Sequence, residues 1–336
     1  MTTIDQRRRQ LLQSGGMLLA GAAAAAAGVA PSFAQEPKKL TRNIDVVRLG
    51  WGRGGIPLIA RQRGVLEKEL ADKGIKVEWV GPFPNHAPSL QAVVGGSADF
   101  GFWGSTTPAL AAMLAGSELV FNGFNIYSPR STAVIAKKTS GINSVADLVG
   151  KRVAVNKAGL GEFLVVAALE QNGIDRSKVE FVYLNPPDAA PAFAQGKVDA
   201  WSMWSPGVDI SRFENDAKDV FNEGRDIKFL VDYSSLVSTR QFSEENSELV
   251  RAVLDAYYKE GEWQSGNPAE AERIAQGEGK YADEVRDYLA SLKRVNQFYE
   301  PKDTEFVQEF QRAADWLADR KIIKSHLKVA DHSVQV

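Results

Sequence analysis

The feature that most constrains this chain is a duplication. Three blocks recur in the same order, each roughly a hundred residues after its first appearance. Arg48-Leu49-Gly50-Trp51-Gly52-Arg53-Gly54-Gly55 returns as Arg152-Val153-Ala154-Val155-Asn156-Lys157-Ala158-Gly159-Leu160-Gly161. Lys76-Val77-Glu78-Trp79-Val80 returns as Lys178-Val179-Glu180-Phe181-Val182, and Ala98-Asp99-Phe100-Gly101-Phe102-Trp103-Gly104-Ser105 as Val198-Asp199-Ala200-Trp201-Ser202-Met203-Trp204-Ser205. Each unit reads strand, glycine loop, helix, strand, helix, Gly-x-x-Asp, strand. Short β-rich runs alternating with helices predict an α/β fold with parallel strands. Two such units predict two lobes.

The first helix of each unit is predicted over 57–73, closing at Gly74, and over 162–172, closing at Gly173. Farther along, the spacing predicts helices over 243–261, from Asn267-Pro268 onward, and over 304–319. The last dozen residues carry no period and predict a loose tail. Length fits this plan: 336 residues exceed one ordinary domain and fall short of three.

The first 34 residues read as an address. Arg7, Arg8 and Arg9 precede Leu11 and Leu12, and an Ala/Gly-rich stretch over 14–30 leads to Ser32-Phe33-Ala34. This is the pattern of a twin-arginine export signal cleaved before Gln35. The stretch is short and weakly apolar for a membrane span. The mature chain is expected in the periplasm.

Composition removes several functions. The net charge of −2 offers no basic excess for nucleic acid. The absence of cysteine excludes a thiolate metal site and a cysteine nucleophile. Of three histidines, His326 and His332 lie near the end, so no histidine metal cluster is expected.

In open α/β sheets, ligands bind beyond the carboxyl ends of the strands. Here those ends carry the two glycine loops, which can present backbone N–H groups and a helix dipole to an anion. Ser105, Thr106 and Thr107 add hydroxyl donors. Trp51, Phe83, Trp103 and Trp204 are candidate walls for an apolar tail. His86, in a Pro-rich loop beside Asn85, reads as a surface or hydrogen-bonding residue. Asp99 and Asp199 read as structural loop carboxylates. A competing motif is Gly50-x-Gly52-x-x-Gly55, which satisfies the dinucleotide fingerprint and would make the chain an exported NAD-dependent oxidoreductase. That reading needs an acid at the end of the next strand. Glu78 lies mid-strand instead, and the second loop lacks the pattern.

Taken together over 46–275, these strings resemble a family. It is that of the periplasmic substrate-binding proteins of ABC importers, in the aliphatic sulfonate, nitrate and taurine group, and most of all the alkanesulfonate-binding proteins. Leu66-Glu67-Lys68-Glu69-Leu70, Gly95-Gly96-Ser97-Ala98-Asp99-Phe100-Gly101, Ser144-Val145-Ala146-Asp147-Leu148 and Ala194-Gln195-Gly196-Lys197-Val198-Asp199-Ala200-Trp201 carry the resemblance along with the repeated blocks.

The resemblance implies a hinged two-lobe periplasmic-binding-protein fold, type II-like, each lobe a mixed sheet flanked by helices. Hinge crossings are expected near 128–131 and 225–228. Lobe one is then 40–129 plus 228–325, lobe two 130–227, and the tail 326–336. It implies a small organic anion, an organosulfonate above all, delivered to an ABC permease and its ATPase subunit, with no cofactor and no reaction. A carboxylate or other non-sulfonate ligand on the same fold is the further alternative. Related desulfinases use a cysteine nucleophile, which is missing here. The implied ligand-binding positions are Gly54, Gly55, Ser105, Thr106 and the loop from Lys157 through Gly159, Leu160 and Gly161, with Phe83-Pro84 and Trp204-Ser205-Pro206. Ser205 stands where the family carries Asp, Asn85-His86-Ala87 replaces small residues, and Arg53 adds a charged donor. All three differences bear on ligand choice.

Overall fold

A computed structural model describes residues 43–227 and 229–336. The export signal over 1–34 and Lys228, at the expected second crossing, lie outside the described residues. The first unit runs β1 (Val46–Gly52), α1 (Gly55–Arg63), α2 (Val65–Ala71), β2 (Lys76–Phe83), α3 (His86–Val94), β3 (Gly104–Ser105), α4 (Thr106–Leu114) and β4 (Leu119–Ser128). The second runs β5 (Ala133–Lys137), β6 (Arg152–Val155), α5 (Leu160–Gln171), β7 (Glu180–Tyr183), α6 (Pro186–Ala194), β8 (Ala200–Met203), α7 (Gly207–Glu214), β9 (Ala217–Asn222) and α8 (Glu223–Asp226). The chain then returns through β10 (Ser234–Thr239), α9 (Arg240–Glu245), α10 (Ser247–Gly266), α11 (Pro268–Gly279), α12 (Asp283–Ser291), β11 (Val295–Tyr299) and α13 (Thr304–Asp319).

The duplication is visible in the sheets. In lobe two the strand order is β7-β6-β8-β5-β9. In lobe one β2 pairs β1, and Gly50 and Asp99 donate to the carbonyls of Phe100 and Arg48, which brings the 99–105 segment beside β1. That segment abuts β10, and the order β3-β10-β4-β11 completes the lobe. The repeated strands pair in parallel in both lobes, while β5, β9, β10, β4 and β11 pair antiparallel. The five-stranded sheet is therefore mixed, and lobe one sets a parallel pair beside an antiparallel four-stranded sheet.

Arg48 and Arg152 also play matching parts. Their backbone N–H groups donate to Asp99 Oδ2 at 2.7 Å and Asp199 Oδ2 at 2.8 Å, and their guanidinium groups pair with the same carboxylates. Both aspartates clip strands at their starts, as expected of structural carboxylates.

Two helix expectations and the expectation of a loose tail need revision. The first helix breaks at Gly64, whose φ of +66° caps α1 and lets α2 bury Leu66 and Leu70 at a new angle. The predicted 243–261 helix is α9 and α10, separated at Asn246; Ser243 is buried and accepts from Asn122 Nδ2 at 2.7 Å. The terminal segment is not loose. Val329 is fully buried, and Val334 N–H donates to the Phe121 carbonyl at 3.1 Å. The partners are distant in sequence, so no local period reports them.

The segment 129–132 leads from β4 to β5, and the chain returns to β10 after α8, near the two expected crossings. Arg130 and Glu223 form a buried ion pair of 2.7 Å beside these crossings. No helix among the described residues is long and apolar enough to cross a membrane.

Candidate functional site

The carboxyl ends of the repeated strands meet between the lobes. Asn85 follows β2 and caps α3 by accepting from Ala87 N–H at 3.2 Å. Its Nδ2 donates to Oδ1 of Asn185, the residue that precedes α6 in the other lobe, at 2.9 Å. The two asparagines occupy matching places in the repeat. Nearby, Arg294 of lobe one donates from Nη2 to Ser205 Oγ at 3.3 Å. These contacts bring the strand-end loops of both lobes to one cleft.

In lobe one the hydroxyls are already engaged. Ser105 Oγ, Thr106 Oγ1, Thr107 N–H and Thr107 Oγ1 all donate to Oδ1 of buried Asp232, at 2.7 to 3.0 Å. The helix start of α4 thus holds an oxyanion, and it is this chain's own carboxylate. Thr106 is fully buried, and Ser105 half-buried at the cleft. Asp232 follows the second crossing, so it ties that crossing to the site. Sequence reading missed it because its donors lie about 125 residues away.

His86 supports the same loop from below. Its Nδ1–H donates to the carbonyl of Ser105 at 2.8 Å, and its Nε2 is buried without a partner. Burial pushes the imidazole down to about 4, so it stays neutral. It is a buried hydrogen-bonding residue, not a surface one. Gly104 is required here, since a Cβ would lie 2.4 Å from His86 Cγ.

The first glycine loop is open. Gly54 is the N-cap of α1 without a side-chain cap, and a Cβ there would meet nothing within 4 Å. Gly55 adopts φ +72°. Arg53 is 66% exposed and turns to Glu278 of α11 at 3.5 Å. The second loop is braced internally: Asn156 Oδ1 accepts from Gly161 N–H at 2.9 Å, and Glu162 Oε2 from Ala158 N–H at 2.6 Å. A Cβ on Gly159 would lie 1.8 Å from Asn156 Nδ2. Leu160 is half-buried at the start of α5, and Lys157 is exposed with Nζ 5.7 Å from the Tyr183 ring.

Of the proposed aromatic walls, Phe83 and Trp204 are half-buried near the cleft, with Pro84 exposed beside Phe83. Trp51 and Trp103 are core residues. Trp51 lies under the Arg61 guanidinium, and Trp103 packs on Tyr257, Tyr258 and Phe298. Their size makes them better core than wall, and period alone does not distinguish the two.

The dinucleotide reading fails its own test. Glu78 is mid-strand in β2 and pairs with Lys76 at the surface, and β2 ends at Phe83. Gly50 serves packing, since its Cβ would lie 2.9 Å from the Phe100 carbonyl.

On the Ser205 side, Arg294 is 6% exposed, its Nε has no partner, and its guanidinium lies 5.4 Å from the Tyr127 ring. Burial pushes Tyr127 up to about 12 and Glu272 to about 6, and it raises Asp209, which pairs with Arg212. Two surface hollows of about 390 and 530 Å³ lie elsewhere, one beside Arg240 and His332, the other beside Gln311 and His326. Neither includes a strand-end loop.

A protein of Escherichia coli named for binding aliphatic sulfonates is 28% identical over 288 residues, spanning 85% of this chain and 87% of its own length. The alkanesulfonate-binding protein SsuA from Xanthomonas axonopodis pv. citri, solved with MOPS bound, superposes with a TM-score of 0.79 at 23% identity, over 87% of this chain and 99% of that one. The periplasmic aliphatic sulphonate binding protein SsuA from Escherichia coli gives 0.75 at 23% identity, over 87% and 94%. Both share the two-lobe fold described above. The NMT1/THI5-like family profile matches residues 59–271, most of both lobes, and the chain belongs to that family.

Proposed function

We propose that this chain is a periplasmic solute receptor that binds a small organosulfonate between its lobes and delivers it to an ABC permease. No bond is made or broken. The observation that carries the reading is relatedness over 85% of the chain to a protein named for aliphatic sulfonates. The cleft geometry supports it: glycine loops at two helix starts, and contacts that join matching strand ends. Export by the twin-arginine route, cleavage after Ala34, and lobe boundaries at 129/130 and 227/228 belong to the same proposal.

The anion would sit against Gly54 and Gly55 and the Gly159–Gly161 loop, while Ser105 and Thr106, whose hydroxyls are held by Asp232, would brace the cleft wall. Phe83 and Trp204 would flank its carbon tail. Ligand binding would draw on the closed population and leave the permease a closed surface to read.

A thermal-melt screen of the mature protein tests this. The panel holds alkanesulfonates, taurine, aromatic sulfonates, sulfate, small carboxylates and NAD. At about a hundred times its Kd, a ligand adds roughly 2.7 kcal/mol, a shift of a few degrees for a chain this size. A shift with sulfonates supports the receptor. A shift with carboxylates alone removes the sulfur, and one with NAD alone removes the receptor.

A further inference from the structure

Beyond the strand-end loops, the lobes meet where α7 of lobe two packs on α12 of lobe one. Ile210 joins the core of Tyr281, Val285 and Leu289, the Phe213 and Tyr288 rings lie 5.6 Å apart, and Glu214 Oε1 accepts from Ala282 N–H at 3.4 Å. This contact is noncovalent, while the backbone joins the lobes near 129–132 and after α8. Rotation about those crossings therefore changes what α7 and α12 bury. Here they are in contact, with the strand-end loops bonded through Asn85 and Asn185.

The contact buries charge unevenly. Asp209 of α7 and Glu272 of α11 are both buried and near each other, with the buried Arg294 guanidinium close to both. Arg212 pairs with Asp209 and Asp219, and the Ser205 hydroxyl also donates to Asp209. Glu272 enters no ion pair among the described residues, and the Tyr281 hydroxyl, at 3.5 Å, is its donor. Tyr127 of β4 is its remaining titratable neighbour. Of the other elements packed on α11, α12 pairs Asp283 with Arg286 beside Gln276, and Arg63 of α1 pairs with Glu260 of α10. Burial and a like charge both disfavour an ionised carboxylate. When α7 closes on α12, Asp209 and Glu272 lose water and gain each other. One proton relieves the pair, and it falls to Glu272, the acid without a direct cation.

We propose that lobe closure takes up a proton at Glu272, so that the receptor holds its ligand more tightly in acidic surroundings and releases it more readily near neutrality. This rests on the receptor reading and adds its regulation. Burial pushes Glu272 from 4.5 up to about 6 in the closed form. Water admitted by opening returns it toward 4.5, so the closed form binds more protons and gains population as pH falls.

Calorimetric titration with propane-1-sulfonate tests this, since a sulfonate keeps one charge throughout the range. Wild-type affinity is expected to be about 5- to 10-fold higher at about pH 5 than at about pH 7.5. Binding at about pH 5.5 in two buffers of different ionisation enthalpy should report uptake of about half a proton or more per ligand. Glu272→Gln, which does not titrate, is expected to bind equally at both pH values to within about 2-fold, and it separates Glu272 from the three histidines. If that variant fails to fold, Tyr281→Phe keeps the test open: loss of the hydroxyl raises Glu272 further and moves the pH profile of affinity upward. Wild-type affinity that is flat with pH, a dependence that survives in folded Glu272→Gln, or a Tyr281→Phe profile identical to wild type overturns the inference and leaves the receptor intact. A wild-type protein that binds neither this nor any other sulfonate at either pH overturns the receptor reading, and the inference with it.

Discussion

Replacing His86 with Asn should remove most of the acid sensitivity that this one side chain imposes. The ring is 3% exposed, donates from Nδ1 to the Ser105 carbonyl at 2.8 Å, and has no partner for Nε2. A second proton would place an N–H donor in buried surroundings with nothing to accept it. Burial therefore pushes the group from 6.5 down to about 4. Between those values the unfolded chain holds a proton that the folded chain refuses. Stability from this source is full above pH 6.5 and is lost as pH falls toward 4. At 1.36 kcal/mol per unit, the whole window is worth roughly 3 kcal/mol. Glu272 works in the opposite sense. Raised from 4.5 to about 6, it contributes stability that is full below 4.5 and lost as pH rises through 6, roughly 2 kcal/mol. The two windows overlap, so the wild-type curve alone does not isolate either group. The difference between wild type and His86→Asn does, because the Asn amide can still donate toward the Ser105 carbonyl and does not titrate. Urea denaturation of both proteins from about pH 7.5 to about pH 4 measures it. The stability difference should move in the variant's favour by roughly 3 kcal/mol across that range. A difference that stays constant with pH would refute the buried neutral ring.

Other predictions concern the cleft. Ser105→Ala/Thr106→Ala should lower the melting temperature, since it removes two of the donors to buried Asp232; a melting temperature equal to wild type would contradict that pairing. Gly159→Ala should cost about 1–2 kcal/mol by forcing Asn156 away from the Gly161 N–H; a melting temperature equal to wild type would contradict this. Asn85→Ala removes the 2.9 Å bond between the lobes and should favour the open form by about 1 kcal/mol. Small-angle scattering of the ligand-free protein should show a larger radius of gyration, and an identical profile counts against the cross-lobe bond. Arg8→Lys/Arg9→Lys should strand an uncleaved precursor in the cytoplasm on cell fractionation, and normal periplasmic recovery would rule out the twin-arginine route.

The duplication was legible because backbone geometry repeats with the local code. Glycine loops, helix stops and the Gly-x-x-Asp turns recur with their residues, and both Arg48–Asp99 and Arg152–Asp199 follow from that recurrence. The strands, most helix ends and the two-lobe plan needed only periodicity and capping chemistry, which act over a few residues. The identity of Asp232, Asn185 and Arg294 as cleft residues did not follow, because their partners lie 125–127, 100 and 89 residues away. Nor did the interior places of Trp51 and Trp103, since an aromatic side chain looks the same in sequence whether it packs a core or lines a cleft. Local sequence determined which segments could be strand, helix and anion-binding turn. Tertiary packing alone decided which of their donors point at a ligand and which at the chain's own carboxylate, because that choice depends on which distant groups are desolvated together.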